Sequence, residues 1–207
     1  MAQLAKQITD NVESHLDAFR KVNLEQINAA RLMNRVDHKF VLTREQLLSM
    51  IPNLCENYFV LSVGNVCNQP YTSTYFDTHN LAMYFDHHNR RAGRYKIRQR
   101  KYESSGDAFL EIKYKDNKGM THKSRVETPK LLKHISLPYF DFVIQNSTYH
   151  PLALKPVLTN SFSRFTLVNK QMNQRITVDT DLSFYQNDKS VQLPELVVVE
   201  VKSTRDN

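Results

Sequence analysis

A chain of 207 residues with 28 lysines and arginines against 21 acidic residues carries a formal charge of +7, which favours an anionic partner without naming it. Four glycines in all exclude a glycine-rich phosphate loop and the P-loop and dinucleotide folds built on it, and two cysteines, Cys55 and Cys67, exclude a disulfide framework and read as reduced thiols. No stretch reaches the roughly 18–20 apolar residues that span a bilayer and the charged N-terminus lacks a signal-peptide core, so one cytoplasmic domain with at most a helical appendage is expected.

Along the chain, Leu4, Ile8, Val12, Leu16, Phe19, Leu24 and Ile27 recur near helical spacing and predict a helical segment over 1–33. The domain proper is expected over 34–207. "TREQLLSMIP" predicts a helix capped by Thr43 with Gln46 three residues on, Pro52 lying past its end. Asp77 followed by Thr78 reads as the cap of a short helix in "NLAMYF". "TPKLLKHI" predicts a helix with Thr128 at its cap and Pro129 in its first turn. Eight stretches alternate and read as strands: "RVDHKFVL", "STYFD", "YKIRQRKY", "AFLEIKYK", "THKSRVE", "NSFSRFTL", "RITVDTDLSF" and "ELVVVEVK". Between them lie turn signals such as "SSGD" and "KDNKG". His87 and His88 are adjacent, make poor joint metal ligands, and are expected in a surface loop.

Sorted by parity, the strands separate charge from apolar surface. Lys96, Arg98 and Arg100 oppose Tyr95, Ile97 and Gln99. Phe109, Glu111, Lys113 and Lys115 oppose Leu110, Ile112 and Tyr114. Lys123, Arg125 and Glu127 share a row, as do Arg35, Asp37 and Lys39. Arg175, Thr177, Asp179 and Asp181 oppose Ile176 and Val178, and Glu200 and Lys202 oppose Val197, Val199 and Val201. A half-buried antiparallel sheet with one wet face accounts for any one of these strands. Repetition in strand after strand favours a barrel with charged rows inside and apolar rows under helices. Unpaired buried charge is very costly, so such a lining needs a charged ligand, and the excess of cations makes it an anion. The interspersed carboxylates leave room for a divalent metal.

These motifs, in this order, resemble the VTC domain, the polyphosphate-polymerase branch of the CYTH or triphosphate tunnel metalloenzyme superfamily. The resemblance runs from about Arg35 to Lys202 on "NRVDHKF", "YTSTYFDT", "YKIRQRKY", "FLEIKYK", "KSR", "LKPVLTNSFSRF", "RITVDTDL" and "VVVEVK". It implies an α+β fold, an eight-stranded antiparallel tunnel flanked by helices that binds a linear triphosphate or polyphosphate. Hydrolase members carry ExExK on the first strand. Here Arg35, Asp37 and Lys39 stand at the matching places, as in the polymerase-like branch. By position, the resemblance puts Arg35, Lys39, Arg98, Arg100, Lys113, Lys123, Arg125, Arg164 and Arg175 on the phosphate path. Lys39, Arg98, Arg100, Lys113 and Arg164 would act on the transferring phosphoryl group. Glu200 would hold Mn²⁺ or Mg²⁺, with Glu111, Asp179 and Asp181 as further metal candidates. The family's C-terminal helix, with its basic Ser-Lys-Tyr or Ser-Lys-Phe stretch, does not follow Lys202 in this sequence.

The function expected is transfer of the terminal phosphate of a nucleoside triphosphate to polyphosphate. The alternatives are an inorganic triphosphatase and a non-catalytic module for polyphosphate or inositol phosphate. A membrane-protein partner fits the last of these. Cations interleaved with carboxylates make a poor duplex surface, so nucleic acid is not an expected partner.

Overall fold

The structure, a computed structural model, describes residues 12–28 and 35–204. In chain order its elements are β1 (Lys21–Val22), α1 (Leu24–Asn28), β2 (Arg35–Thr43), α2 (Arg44–Asn57), β3 (Tyr58–Leu61), β4 (Gln69–Asp77) and α3 (Ala82–His88). There follow β5 (Arg94–Tyr102), β6 (Ala108–Lys115), β7 (Thr121–Thr128), α4 (Phe140–Asn146), β8 (Lys155–Asn169), β9 (Gln174–Gln186), β10 (Lys189–Leu193) and β11 (Leu196–Thr204). The fold is α+β, with a mostly antiparallel sheet. All eight strands read from the sequence are present, and β1, β3 and β10 bring the sheet to eleven. The expected antiparallel, tunnel-like fold is present, with more than eight strands, and among the described residues no ladder joins β2 to β7. Charged and polar side chains are exposed on β7, which leaves it little apolar surface for a further neighbour.

The chain divides into two compact units. The first holds the described residues up to Pro70, Phe162–Ser183 and those from Val191 on. In it β11 pairs antiparallel with both β2 and β9. Its core gathers Phe165, Leu167, Ile176, Val178, Val197 and Val199 from the strands, with Leu47 and Ile51 from α2. Leu47 and Ile51 are four apart and so share one helix face. The capping box expected at Thr43 is formed: its hydroxyl accepts from the Gln46 N–H at 3.1 Å and its own N–H donates to Gln46 Oε1 at 2.8 Å. Pro52, expected past the end, lies inside the helix. An interior proline costs about 3 kcal/mol, and burial of Leu47 and Ile51 on either side of the third turn offsets it.

The helical segment expected over 1–33 can be compared over 12–28 alone, since residues 1–11 and 29–34 lie outside the described residues. Residues 12–16 are helical and bury Val12 and Leu16 in the core. The chain then lends Lys21 and Val22 to a parallel pairing with β3. Asn23 restarts a helix as its cap, exchanging 2.9 Å hydrogen bonds with Gln26. That capping box breaks the period that the apolar spacing suggests.

The second unit holds Tyr71–Ser161 and Phe184–Ser190. Here β5 pairs antiparallel with β4 and β6, and β6 with β7. Phe76, Ile97, Leu110 and Ile112 form the apolar side of these strands, covered by Met83 of α3, Ile135, Val143 of α4 and Leu154. The N-cap position of α3 is Leu81, and the carboxylate that satisfies the helix's first turn is that of Asp77, four residues earlier: Oδ1 accepts from the Met83 N–H at 3.0 Å and Oδ2 from the Tyr84 N–H at 2.9 Å. His87 and His88 end this helix instead of lying in a loop, and the His87 ring bonds the Tyr95 carbonyl.

No helix forms over "TPKLLKHI". Gln99 explains the miss. Its fully buried amide donates to Thr128 Oγ1 at 2.5 Å and to the Lys130 carbonyl at 2.7 Å, and accepts from the Leu132 N–H at 2.5 Å. The cap hydroxyl and two backbone groups that a helix needs are thus taken by a side chain of β5. Replacing Gln99 by Leu leaves those buried groups without partners, at about 1–3 kcal/mol each. Urea unfolding of Gln99→Leu should show a loss of about 3 kcal/mol, with faster proteolysis within 129–136. Parental stability would mean that the segment is held in some other way.

Candidate functional site

The second unit carries the denser charge. Antiparallel register places Lys96 opposite Lys113 and Lys113 opposite Lys123, one lysine row across β5, β6 and β7. The next row is Arg98, Glu111 and Arg125, and the next Arg100, Phe109 and Glu127. Arg94 and Lys115 are paired at the row's other end. On this face Arg94, Lys96, Arg98, Arg100, Lys113, Lys115, Lys123 and Arg125 therefore stand against Glu111 and Glu127. From β4, Ser73 lies opposite Arg100 and Tyr75 opposite Arg98.

Within the face each buried cation is held. Arg98 Nε donates to Glu111 Oε2 at 2.7 Å, the two side chains being 11% and 16% exposed. Burial works against the charge of both. Their mutual attraction outweighs it, holding the Arg98 guanidinium above and the Glu111 carboxyl below their ordinary values. Arg100 Nε donates to Ser73 Oγ at 3.2 Å, and its guanidinium sits 5.2 Å from the Tyr71 ring centre. Arg125 lies 4.8 Å over Phe109. Lys113 fares worst: burial, then repulsion from Arg98 and Lys123, pushes its ammonium down to about 7 against the pull of Glu111.

The first unit carries a more balanced face. Lys39 lies opposite Glu200 and Asp37 opposite Lys202, while β9 sets Thr177 against Glu200 and Arg175 against Lys202. Arg164 clamps Asp179 with two bonds, Nε to Oδ1 at 2.5 Å and Nη2 to Oδ2 at 2.6 Å. Glu200 is bonded by Lys202 and lies 3.7 Å from Lys39 Nζ. Burial raises its carboxyl, but Lys202, Lys39 and Arg164 together hold it below the usual range.

The candidates read from the sequence thus fall into two groups. Arg98, Arg100, Glu111, Lys113, Lys123 and Arg125 share the second unit's face, and Lys39, Arg164, Arg175, Asp179 and Glu200 the first unit's. The side chain of Arg35 lies outside the described residues. Asp181 does not join its expected row. Its backbone takes a positive φ of 55°, which Asp tolerates better than most residues, and its carboxylate bonds buried Arg44 of α2 at 2.5 Å. Lys96, Lys115, Lys202, Ser73 and Tyr75 belong to these faces although the candidate set omits them. Strand parity alone is the signal that finds them. Among the described residues no cluster of three or more His, Cys, Asp or Glu side chains is poised for a metal, because each candidate carboxylate already meets a cation.

The VTC domain model matches residues 34–207. The chain belongs to the VTC domain family. Among curated proteins none matches it. Among solved structures, a "putative adenylate cyclase" from Bacillus halodurans superposes with a TM-score of 0.53 at 15% identity, covering 83% of this chain and 81% of that one. A second, from Vibrio parahaemolyticus, gives 0.46 at 11% identity over 86% and 79%. A Hippeastrum protein described as having a dominant triphosphatase activity gives 0.43 at 12% identity over 84% and 80%. The first of these shows a shared fold for the VTC domain. No described helix is long and apolar enough to cross a membrane.

Lys113 makes the crowding measurable. In the unfolded chain its ammonium keeps its proton up to about 10.5, in the fold only up to about 7. Between those values the unfolded state binds more protons, so this group makes stability rise with pH across the window. Below about 7 its full cost is present. Lys113→Met should therefore raise the melting temperature of the ligand-free protein at pH 6, with the gain fading as pH approaches 10. A gain independent of pH would locate its cause elsewhere.

Proposed function

We propose that this VTC domain transfers the terminal phosphate of a nucleoside triphosphate to a polyphosphate chain with the help of Mn²⁺ or Mg²⁺. The observation that carries the reading is the register of β5, β6 and β7, which sets cations in a grid with only Glu111 and Glu127 among them. Neighbouring positions in such a grid are about 5 Å apart across strands and about 7 Å along them. A linear phosphate chain, with about one charge per phosphate, meets several of those cations at once, and orthophosphate does not. Phosphoryl transfer asks for positioning and charge neutralisation more than for covalent protein chemistry. Arg98, Arg100 and Arg125 offer planar paired donors, and Lys113 and Lys123 point charges.

The first unit's face suits the metal. Glu200 offers one carboxylate, too few for a protein-only cage, yet enough for an ion that keeps water and brings phosphate oxygens with it. The ion would neutralise charge on the phosphoryl group. Lys39, Lys202 and Arg164 would hold the surrounding oxygens and release Glu200 from its present pairing. On the second unit's own face Arg98 and Lys113 would bind and orient a linear phosphate anion.

Incubation with ATP and Mn²⁺ tests the reading directly. Polyphosphate should accumulate; free phosphate alone would mean a triphosphatase, and neither product a binding module. Arg98→Ala should weaken tripolyphosphate binding by about 2 kcal/mol or more, and wild-type affinity in calorimetry would put the grid outside the site. Glu200→Gln should abolish metal-dependent turnover while metal-free polyanion binding stays equal or tightens, because the face gains one net positive charge. Undiminished Mn²⁺ binding in the presence of tripolyphosphate would remove Glu200 from the metal site.

A further inference from the structure

The first unit's face buries a hydroxyl group among its charges, that of Thr177. Thr177 lies in the middle of β9 between Ile176 and Val178, which point into the apolar core. Its own side chain takes the opposite face, directly across from Glu200 and two residues from both Arg175 and Asp179. Thr177 is 7% exposed, and its Oγ1 is buried without a hydrogen-bond partner. The neighbouring acceptors are already engaged: Asp179 by Arg164 through both oxygens, Glu200 by Lys202 and Lys39. Valine has the same shape, favours strands, and carries no hydroxyl to leave unsatisfied. A threonine here is a local inconsistency in a well-packed strand, and an acceptor arriving from outside resolves it.

We propose that the Thr177 hydroxyl is a ligand contact, donating a hydrogen bond to a non-bridging oxygen of a bound linear phosphate anion. The cations around it select the charge of that acceptor. Lys202 and Arg175 lie on adjacent strands one step along the face, and Lys39 lies beyond Glu200 in the same row. An anionic oxygen that draws Lys202 and Lys39 away from Glu200 comes within reach of the hydroxyl, which is buried in the ligand-free protein. The contact rests on the phosphate-binding reading of this face, and adds to it a neutral donor that discriminates by position where the cations attract by charge.

The test is calorimetric binding of inorganic tripolyphosphate, without metal, to wild type, Thr177→Val and Thr177→Ser, with thermal melts of the ligand-free proteins. A hydrogen bond to a charged acceptor is worth roughly tenfold or more in affinity. Thr177→Val should bind about tenfold more weakly while melting no lower than wild type, since it removes an unsatisfied buried hydroxyl at nearly constant volume. Thr177→Ser, which keeps the donor, should bind within about twofold of wild type. Equal binding by wild type and Thr177→Val overturns the contact while leaving the phosphate reading in place. So does a Thr177→Ser variant as weak as Thr177→Val, which makes the methyl group the cause. Failure of wild type itself to bind tripolyphosphate sinks the phosphate reading, and Thr177 falls with it.

Discussion

Repulsion among cations held in register is the constraint on which the second unit is built. Lys96, Lys113 and Lys123 occupy one row across three strands, and no carboxylate shares that row. On the charged face Glu111 draws on Arg98 and Lys113, and Lys96 lies over the Tyr75 ring, yet cations far outnumber carboxylates there. The arrangement persists because the other face of the same strands buries Ile97, Leu110 and Ile112 under Met83, Val143 and Leu154. A slip of one residue in any strand would exchange the two faces. The apolar side therefore fixes the register, and the register fixes the charge. Burial, and then repulsion from Arg98 and Lys123, lower the affinity of Lys113 for its proton.

The first unit resolves the same problem differently. Its face carries Lys39, Arg164, Arg175 and Lys202 against Asp37, Asp179 and Glu200, so each cation has a carboxylate within its neighbourhood. Such a surface attracts a bare anion less strongly than the second unit's face does. It suits a ligand that brings charge of both signs, as a phosphate chain with its divalent ion does. Asp181 shows how close the sequence came to adding a fourth carboxylate. One left-handed residue in β9 turns it out of the row, and it pairs instead with buried Arg44 at the start of α2. The helix gains an anchor and the face loses a negative charge.

How much of this was legible follows from which forces are local. Strand parity is local, with a period of two residues, so all eight main strands and both charged faces could be read from alternation alone. The Thr43 cap and the Asp77 carboxylate at the start of α3 were legible for the same reason. The misses each turn on a partner distant in sequence. Thr128 and Pro129 announce a helix, but Gln99, some thirty residues earlier, takes the groups that the helix would need. Pro52 announces a helix end, but the core beneath Leu47 and Ile51 carries the helix through it. The short β1 and β3 have too few residues to show a period and exist because β3 pairs with β8 and β1 with β3. Asp181 matched its row by parity, and nothing in "VDTDL" signals the positive φ that removes it.

Charge and hydroxyl play different parts in a site of this kind. Lysine and arginine act over distance and are tolerant of position, so they gather an anion without fixing it. A carboxylate within the grid limits the cost of gathering: Glu111, set between Arg98 and Arg125, steadies the middle row, while the lysine row beside it holds no carboxylate of its own. A face neutralised throughout would be more stable alone, yet its own carboxylates would then compete with the ligand for every cation. The retained imbalance places the strongest demand for negative charge at Lys113. A short-range donor such as Thr177 contributes the complementary property, since a hydrogen bond falls away within fractions of an ångström and in angle. Attraction by charge and placement by a neutral donor are separable, and on the first unit's face Lys39 and Lys202 can supply the one where Thr177 would supply the other.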